Sequence, residues 1–359
     1  MKTMVYFCVT ASVFFASHVF AQSSVTISGM MDAGVSYVSN EAGGHVLKFD
    51  DGIAVPNLLR FSGKEDLGGG AHAIFDLTNQ FELGTGSFMP DGSLFSRTAY
   101  VGLDDDRFGR LTFGNQYDFT FDSLFFGLDD AAIYAQGIYD FPNGPFAKLA
   151  LPNNATGAFD WDRMAGVAVS NSVKYQTASF KGFSAGAMYG FGGVAGSFGS
   201  DSGTSAGINY VNGAFGANAA YTFLKTSVGG IQDGVRNWGI GTHYRIGSIT
   251  ATALYMAVRN QLNGAAVWQA ELGGLWQIAP DLALSGAYMY MKGNEVVDSN
   301  HAHQLTAMFT YLLSKRTSVY VAAVGQRANH GATALINDVM VPSSSPTQVI
   351  GRIGMQTRF

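Results

Sequence analysis

An export signal, amphipathic segments with a period of two, and a terminal strand ending on an aromatic residue together predict an all-β fold: a 16-stranded antiparallel transmembrane β-barrel with an inward-folded third long loop. The terminal run from Gly351 to Phe359 shows the pattern most clearly. In a strand, successive side chains point to opposite faces. Gly351, Ile353, Met355, Thr357 and Phe359 therefore share one face, and Arg352, Gln356 and Arg358 share the other. One face suits lipid and the other suits water, the division a spanning barrel needs between its apolar outer band and its polar lumen.

At the other end, Lys2 supplies a positive charge, Val5 to Phe15 an apolar stretch, and Val19-Phe20-Ala21 a cleavage site before Gln22. Residues 1–21 thus read as a cleaved secretory signal peptide and 22–359 as a single barrel domain. A transmembrane anchor would need about 20 apolar residues, and Thr10, Ser12, Ser17 and His18 interrupt this one. Cys8 is the only cysteine and lies in the signal, so the mature chain has no disulfide framework, thiol nucleophile or cysteine metal site.

Charged residues make up 13%, glycine 46 of 359 positions, and mean hydropathy is +0.12. No apolar run after the signal is long enough for a membrane helix. An apolar exported chain can still cross a membrane if its strands close into a barrel, because only helices and closed barrels satisfy every backbone group in lipid. The net charge of −5 gives no basis for a nucleic-acid partner.

The segments follow in order. Leu59, Phe61 and Gly63 alternate with Arg60, Ser62 and Lys64; Phe183 to Phe191 and Phe215 to Phe223 alternate with aromatics towards their ends, where interfacial girdles belong. The strands around Ala251 and Val321 alternate poorly and cannot be oriented. Short turns fall near Gly69, Asp106, Lys181, Gly213, Gly247, Pro280 and Ser314, and longer loops near Asn40, Gly86, Gly127, Gly196, Gly230, Gln261, Gly293 and Asn329. Seven turns and eight loops connect sixteen strands, an even number as a closed antiparallel barrel requires.

One loop, about 119–163, runs on without alternation yet carries Phe119, Phe121, Leu124, Phe125, Phe126, Ile133, Tyr134, Ile138, Tyr139, Phe141, Phe146 and Leu149. So apolar a loop should pack on something, and the surface available is the barrel interior. A sixteen-strand lumen is a wide aqueous channel, which a folded loop would constrict.

These residues resemble the Gram-negative trimeric general porins. Ser24-Val25-Thr26 with Gly29, Asp32, Ala33 and Gly34 opens the resemblance; Arg60 to Gly70, Ser96 to Leu103, Phe113 to Asp118, Asn171 to Tyr175, Met188 to Phe191 and Leu313 to Thr317 continue it; Phe359 closes it. The resemblance spans the mature chain. It implies a homotrimer in the outer membrane of a Gram-negative bacterium, in contact with outer-membrane lipid and lipopolysaccharide, passing ions and small hydrophilic solutes. It further implies a constriction in which wall arginines, here Arg60, Arg97 and Arg163, face loop acids, here Asp122, Asp129, Asp130 and Asp140. The tip motif of the enterobacterial members is absent, which leaves the tip acid open. Phe359 resembles the terminal aromatic recognised by the barrel assembly machinery.

No catalytic constellation, cofactor motif or metal site stands out. His301 and His303 share one face of a strand, a spacing that could hold a metal, but only Asp298 is near them in sequence. Gly190 to Gly193 lacks the following helix and lysine of a phosphate cradle. The leading reading is a passive diffusion channel and not an enzyme. A solute-selective channel of the same fold, with Tyr134 and Tyr139 forming a track, and an outer-membrane enzyme or adhesin on a barrel are the alternatives.

Overall fold

The computed structural model describes residues 24–89, 92–151, 167–228 and 231–359; the expected signal peptide lies outside them. Every strand pairs antiparallel, and the first, Ser24–Glu41, closes the sheet on the last, Thr347–Arg358, in a register from Met30 opposite Arg358 to Val38 opposite Ile350. Closure leaves no unpaired edge, which is what lets a sheet stand in lipid. The sheet comprises 18 strand segments. Gly44–Asp51 and Leu58–Gly68 both pair with Ser24–Glu41 and form one interrupted wall strand; Phe88–Met89 and Thr98–Asp105 both pair with Ala71–Phe81 and form another. The wall therefore has the sixteen strands expected.

The two faces divide as the alternation requires. Val25, Ile27, Val35, Ile353 and Met355 are exposed on the outside, while Asp32, Ser36 and Arg352 are buried inside. Aromatic rings form two outer chains. Trp238, Tyr255, Trp268 and Tyr290 follow one another at 5.4, 5.8 and 5.5 Å near one rim. Phe183, Tyr210, Phe215 and Tyr244 run near the other at 4.3, 6.2 and 6.4 Å. The second rim is that of the tight turns, where Gly213 (φ 60°) and Gly247 (φ 58°) supply the left-handed backbone a two-residue turn needs. Short turns mark the periplasmic side and long loops the cell surface.

All seven short turns occur where expected. The connection near Asn40 is instead a tight turn at Ala42 and Gly43, both at positive φ, and the chain breaks later, between Asp51 and Leu58. Phe215–Val228 and Ile231–Ile246 come within two residues of each other, so that connection is short too.

Two loops fold against the inner wall. From Phe119 to Leu149 the chain makes a π-helical turn, Thr120–Phe125, and 3-10 turns at Ala131–Ile133, Gly137–Asp140 and Ala147–Leu149. The Phe119 amide donates to Ser205 Oγ (2.9 Å) and the Ala131 amide to Glu271 Oε1 (2.7 Å), while Gln304 Nε2 donates to the Tyr139 carbonyl (3.1 Å) and Gln326 Nε2 to that of Asn143 (2.9 Å). Wall glycines allow the close approach: a Cβ at Gly207, Gly239, Gly241 or Gly273 would collide with Phe119, Leu124, Asp129 or Ala131 respectively. The second loop, 329–346, buries Leu335, Ile336 and Val339 against Tyr139, Ile53, Val38, Val324 and Ile350. Its inward course was not expected. It also explains the two strands that alternate poorly: Leu254, Met256, Val258 and Val324 face inward but meet these loops rather than water.

Candidate functional site

Strand parity and loop packing together place the side chains that line the lumen. Arg60 faces inward from Leu58–Gly68, opposite Thr78 across the sheet, and its guanidinium pairs with Asp76. Asp76 is itself buried and accepts from Thr78 (2.7 Å) and Thr98. The cation of this pair stays half exposed while the carboxylate is covered, so the surface it offers to the lumen is positive. Arg110 pairs with Asp104 at 3.2 Å, with both partners partly exposed. Arg60, Lys64, Tyr100 and Arg110 line one shallow pocket of the inner wall.

Arg97 precedes its strand, so parity does not govern it. Its Nη1 donates to the Tyr117 hydroxyl (2.5 Å), and the Tyr117 ring stacks at 3.8 Å on Phe121 of the loop. This places Arg97 beside the loop's root. Arg163 lies outside the described residues.

None of Asp122, Asp129, Asp130 and Asp140 pairs with Arg60, and none is seen to pair with Arg97, contrary to the expectation. Asp122 accepts from Lys174 Nζ (2.5 Å). Asp129 is buried against the wall, accepting from Asn218 Nδ2 (2.7 Å) and lying 2.9 Å from His243 Nδ1. Asp130 caps the Ala131–Ile133 turn through the Ala132 amide (2.8 Å). Asp140 is fully buried near Gln304 and Thr306. The physical reason is that the apolar loop side chains seat the segment on the wall and carry the neighbouring acids into the contact. Burial is the main cause that raises the Asp129 carboxyl to about 6, against the bonds from His243 and Asn218. Burial also raises Asp130, with the charges of Asp140 and Asp129 adding to the shift.

Sequence reasoning missed a second inner cluster. Arg352, read as water-facing, is fully buried; it pairs with Asp32 at 3.0 Å and with Asp50, and its Nε donates to Tyr320 Oη at 2.8 Å. The Tyr320 hydroxyl in turn donates to Asp32 (2.5 Å), which also accepts from the Ile53 and Ala54 amides. Tyr139, placed in a solute track by the alternative reading, is fully buried here and donates to Asp50. Only the inward parity shared by Asp32, Asp50 and Arg352 could have signalled this seam. His301 and His303 face outward near the cell-surface rim, and no group of three or more His, Cys, Asp or Glu among the described residues could hold a metal.

The sequence profile of the family described as Gram-negative porin matches residues 8–331. The chain belongs to that family. An outer membrane porin of Bordetella pertussis is 30% identical to this porin over 64% of this chain and 63% of its own length. Porin protein 32 of Delftia acidovorans is 30% identical over 84% of this chain and 83% of its own. Among solved structures, the anion-selective porin from Comamonas acidovorans superposes with a TM-score of 0.78 at 24% identity, covering 94% of this chain and all of the other. Salmonella typhi OmpF gives 0.62 at 17% identity, covering 93% and 97%. Gram-negative porins reside in the outer membrane and are channels, not enzymes, and so is this chain.

Proposed function

We propose that this porin passes ions and small hydrophilic solutes by diffusion through a lumen narrowed by loop 119–163, with Arg60, Arg97 and Arg163 setting the polarity of the restriction. The observation that carries this reading is the half-exposed Arg60 guanidinium over its covered partner Asp76, together with the burial of the loop acids Asp129, Asp130 and Asp140 at the wall. A restriction so lined favours anions weakly, because a low-dielectric wall focuses the field of a few charges. Liposome swelling tests the diffusional part: uptake of uncharged sugars should fall smoothly with solute size and not saturate. Saturation by one solute would favour a binding track instead.

We also place the porin in a homotrimer. The two ring chains do not continue onto the strands beside the closure, whose outer face exposes Val25, Ile27, Val35, Leu47, Val349 and Ile353. Tyr37 and Phe49 are exposed on the same face, and an apolar face this broad suits contact with another copy. Lipopolysaccharide around the trimer and the barrel assembly machinery, engaged through Phe359, complete the partners of this reading.

A further inference from the structure

Loop 119–163 turns aromatic rings into the lumen that its attachment to the wall does not need. At the π-helical turn, Phe119, Thr120, Ser123 and Leu124 are buried against the wall, where Thr120 Oγ1 meets Thr222 Oγ1 at 3.1 Å. Phe121 and Phe125 lie on the other side of the turn and are partly exposed, and Phe126, which follows it, is 60% exposed. The sheet closes around the loop, so the side turned away from the wall faces the lumen. An apolar ring held in water is unfavourable, and Phe119 and Leu124 already seat the turn. The lumenal rings therefore serve something other than loop attachment.

Tyr117, Phe121 and Phe126 form a row. The Tyr117 ring stacks on Phe121 at 3.8 Å, and Phe126 meets Phe121 edge-on at 4.5 Å and 80°. The row descends the channel: Thr120 touches Thr222, whereas the Gly127 carbonyl, just past Phe126, accepts from Asn218 Nδ2 (3.4 Å), nearer the periplasmic turn at Gly213 on the same strand. At its cell-surface end stands Arg97, with its guanidinium 6.0 Å from the Tyr117 ring centre and bonded to the hydroxyl. Arg97 and Arg60 flank Ala71–Phe81 at one height, since the Arg97 amide donates to the Thr78 carbonyl (3.2 Å) and Arg60 lies opposite Thr78. The carboxylates nearby are engaged: Asp76 with Arg60, Asp104 with Arg110, and Asp122 with Lys174. A solute with a flat apolar ring and a negative charge fits both parts of this surface, ring against ring and carboxylate against guanidinium. An aliphatic anion offers no ring, and an uncharged sugar offers the arginines no charge.

We propose that the row from Tyr117 to Phe126, with Arg97 at its cell-surface end, is a track for planar aromatic carboxylates. The carboxylate is drawn to Arg97 and the ring passes down over Phe121 and Phe126, so that such anions dwell in a restriction that chloride and uncharged sugars cross without delay. The inference rests on the channel reading above and adds a preferred solute class to it.

The test is block of the chloride current through the full porin in a planar bilayer at neutral pH. Benzoate is compared with cyclohexanecarboxylate, which has the same charge and nearly the same size but no aromatic ring, and with benzyl alcohol, which has the ring without the charge. Benzoate should reduce the current saturably, at a concentration roughly fivefold below that needed of cyclohexanecarboxylate, and more strongly than benzyl alcohol does. Phe126→Leu keeps an apolar side chain without the ring; it should leave the chloride conductance as in the wild type and bring benzoate to the level of cyclohexanecarboxylate. The comparison within the wild type holds even if that variant does not assemble. Benzoate no stronger than either comparison compound would overturn the proposal. Benzoate block untouched by Phe126→Leu would also overturn it, by showing an effect of the arginines alone. A wild type without chloride current would instead refute the channel reading on which the track depends.

Discussion

Arg352→Met probes the closure seam. The substitution keeps much of the side-chain volume but leaves Asp32 and Asp50 without their cation in a site where Arg352 and Asp32 are fully buried. Breaking a buried ion pair costs about 3–5 kcal/mol. The lower end applies here, because Asp32 keeps the Ile53 amide (2.9 Å), the Ala54 amide (3.1 Å) and the Tyr320 hydroxyl (2.5 Å), and Asp50 keeps Ser36 Oγ (3.0 Å). A loss of about 3 kcal/mol lowers the folding equilibrium constant by roughly 150-fold. The assay is urea-driven unfolding from lipid vesicles, followed by the mobility difference between folded and heat-unfolded barrel. In the double variant Arg352→Met/Asp32→Asn the second change should cost less than it does alone, since it removes the uncompensated charge. A loss under about 1 kcal/mol for Arg352→Met, with purely additive behaviour in the double variant, would refute the claim that this cluster ties the first strand to the last.

Three further outcomes follow from the loop and the terminus. Asp129 titrates at about 6 in the fold against an ordinary 3.8, so its contribution to seating the loop is complete below 3.8 and is lost as pH rises through 6; hydrogen exchange at the Ala131 and Ala132 amides, corrected for intrinsic rate, should show weaker protection at pH 8 than at pH 5, and Asp129→Asn should flatten the difference. Gly241→Val would drive a side chain into Asp129, an overpacking worth about 1–3 kcal/mol; the loop should lift and single-channel conductance should rise, whereas a wild-type conductance would mean that the loop does not set the restriction. Deleting Phe359 removes the reciprocal backbone bonds with Gly29 (3.0 and 3.1 Å) that finish closure; secretion should persist while a protease-sensitive species accumulates in the periplasm, and normal insertion would contradict the assembly role.

Much of this fold was legible because barrel strands obey a period of two wherever one face meets lipid and the other meets water. Ile353 and Met355 outside, with Arg352 inside, follow that rule directly. The pattern failed where the inner face meets protein: Leu254, Met256 and Val258 are inward and apolar because loop residues such as Leu124 and Leu149 cover them. The same cause hid the fate of the loop acids. Periodicity assigns a wall residue to a face, but it says nothing of which side of a folded loop turns to the wall, so Asp129 and Asp140 read as lumenal charges while the structure buries them. Arg60 was placed by parity; its partner Asp76, in the strand Ala71–Phe81, was not. The inward course of loop 329–346 left no signal beyond a few apolar residues between Ala332 and Val341.

The central claim is a diffusion channel whose restriction takes its charge from the wall and not from the loop acids. The most direct measurement is the reversal potential of the porin in a planar bilayer under a salt gradient, for the wild type, for Arg60→Gln/Arg97→Gln, and for Asp129→Asn/Asp130→Asn. An anion preference in the wild type, shifted towards cations by the arginine changes and little altered by the aspartate changes, is the expected result. A reversal potential unmoved by losing both arginines, or moved strongly by losing the buried aspartates, would contradict it.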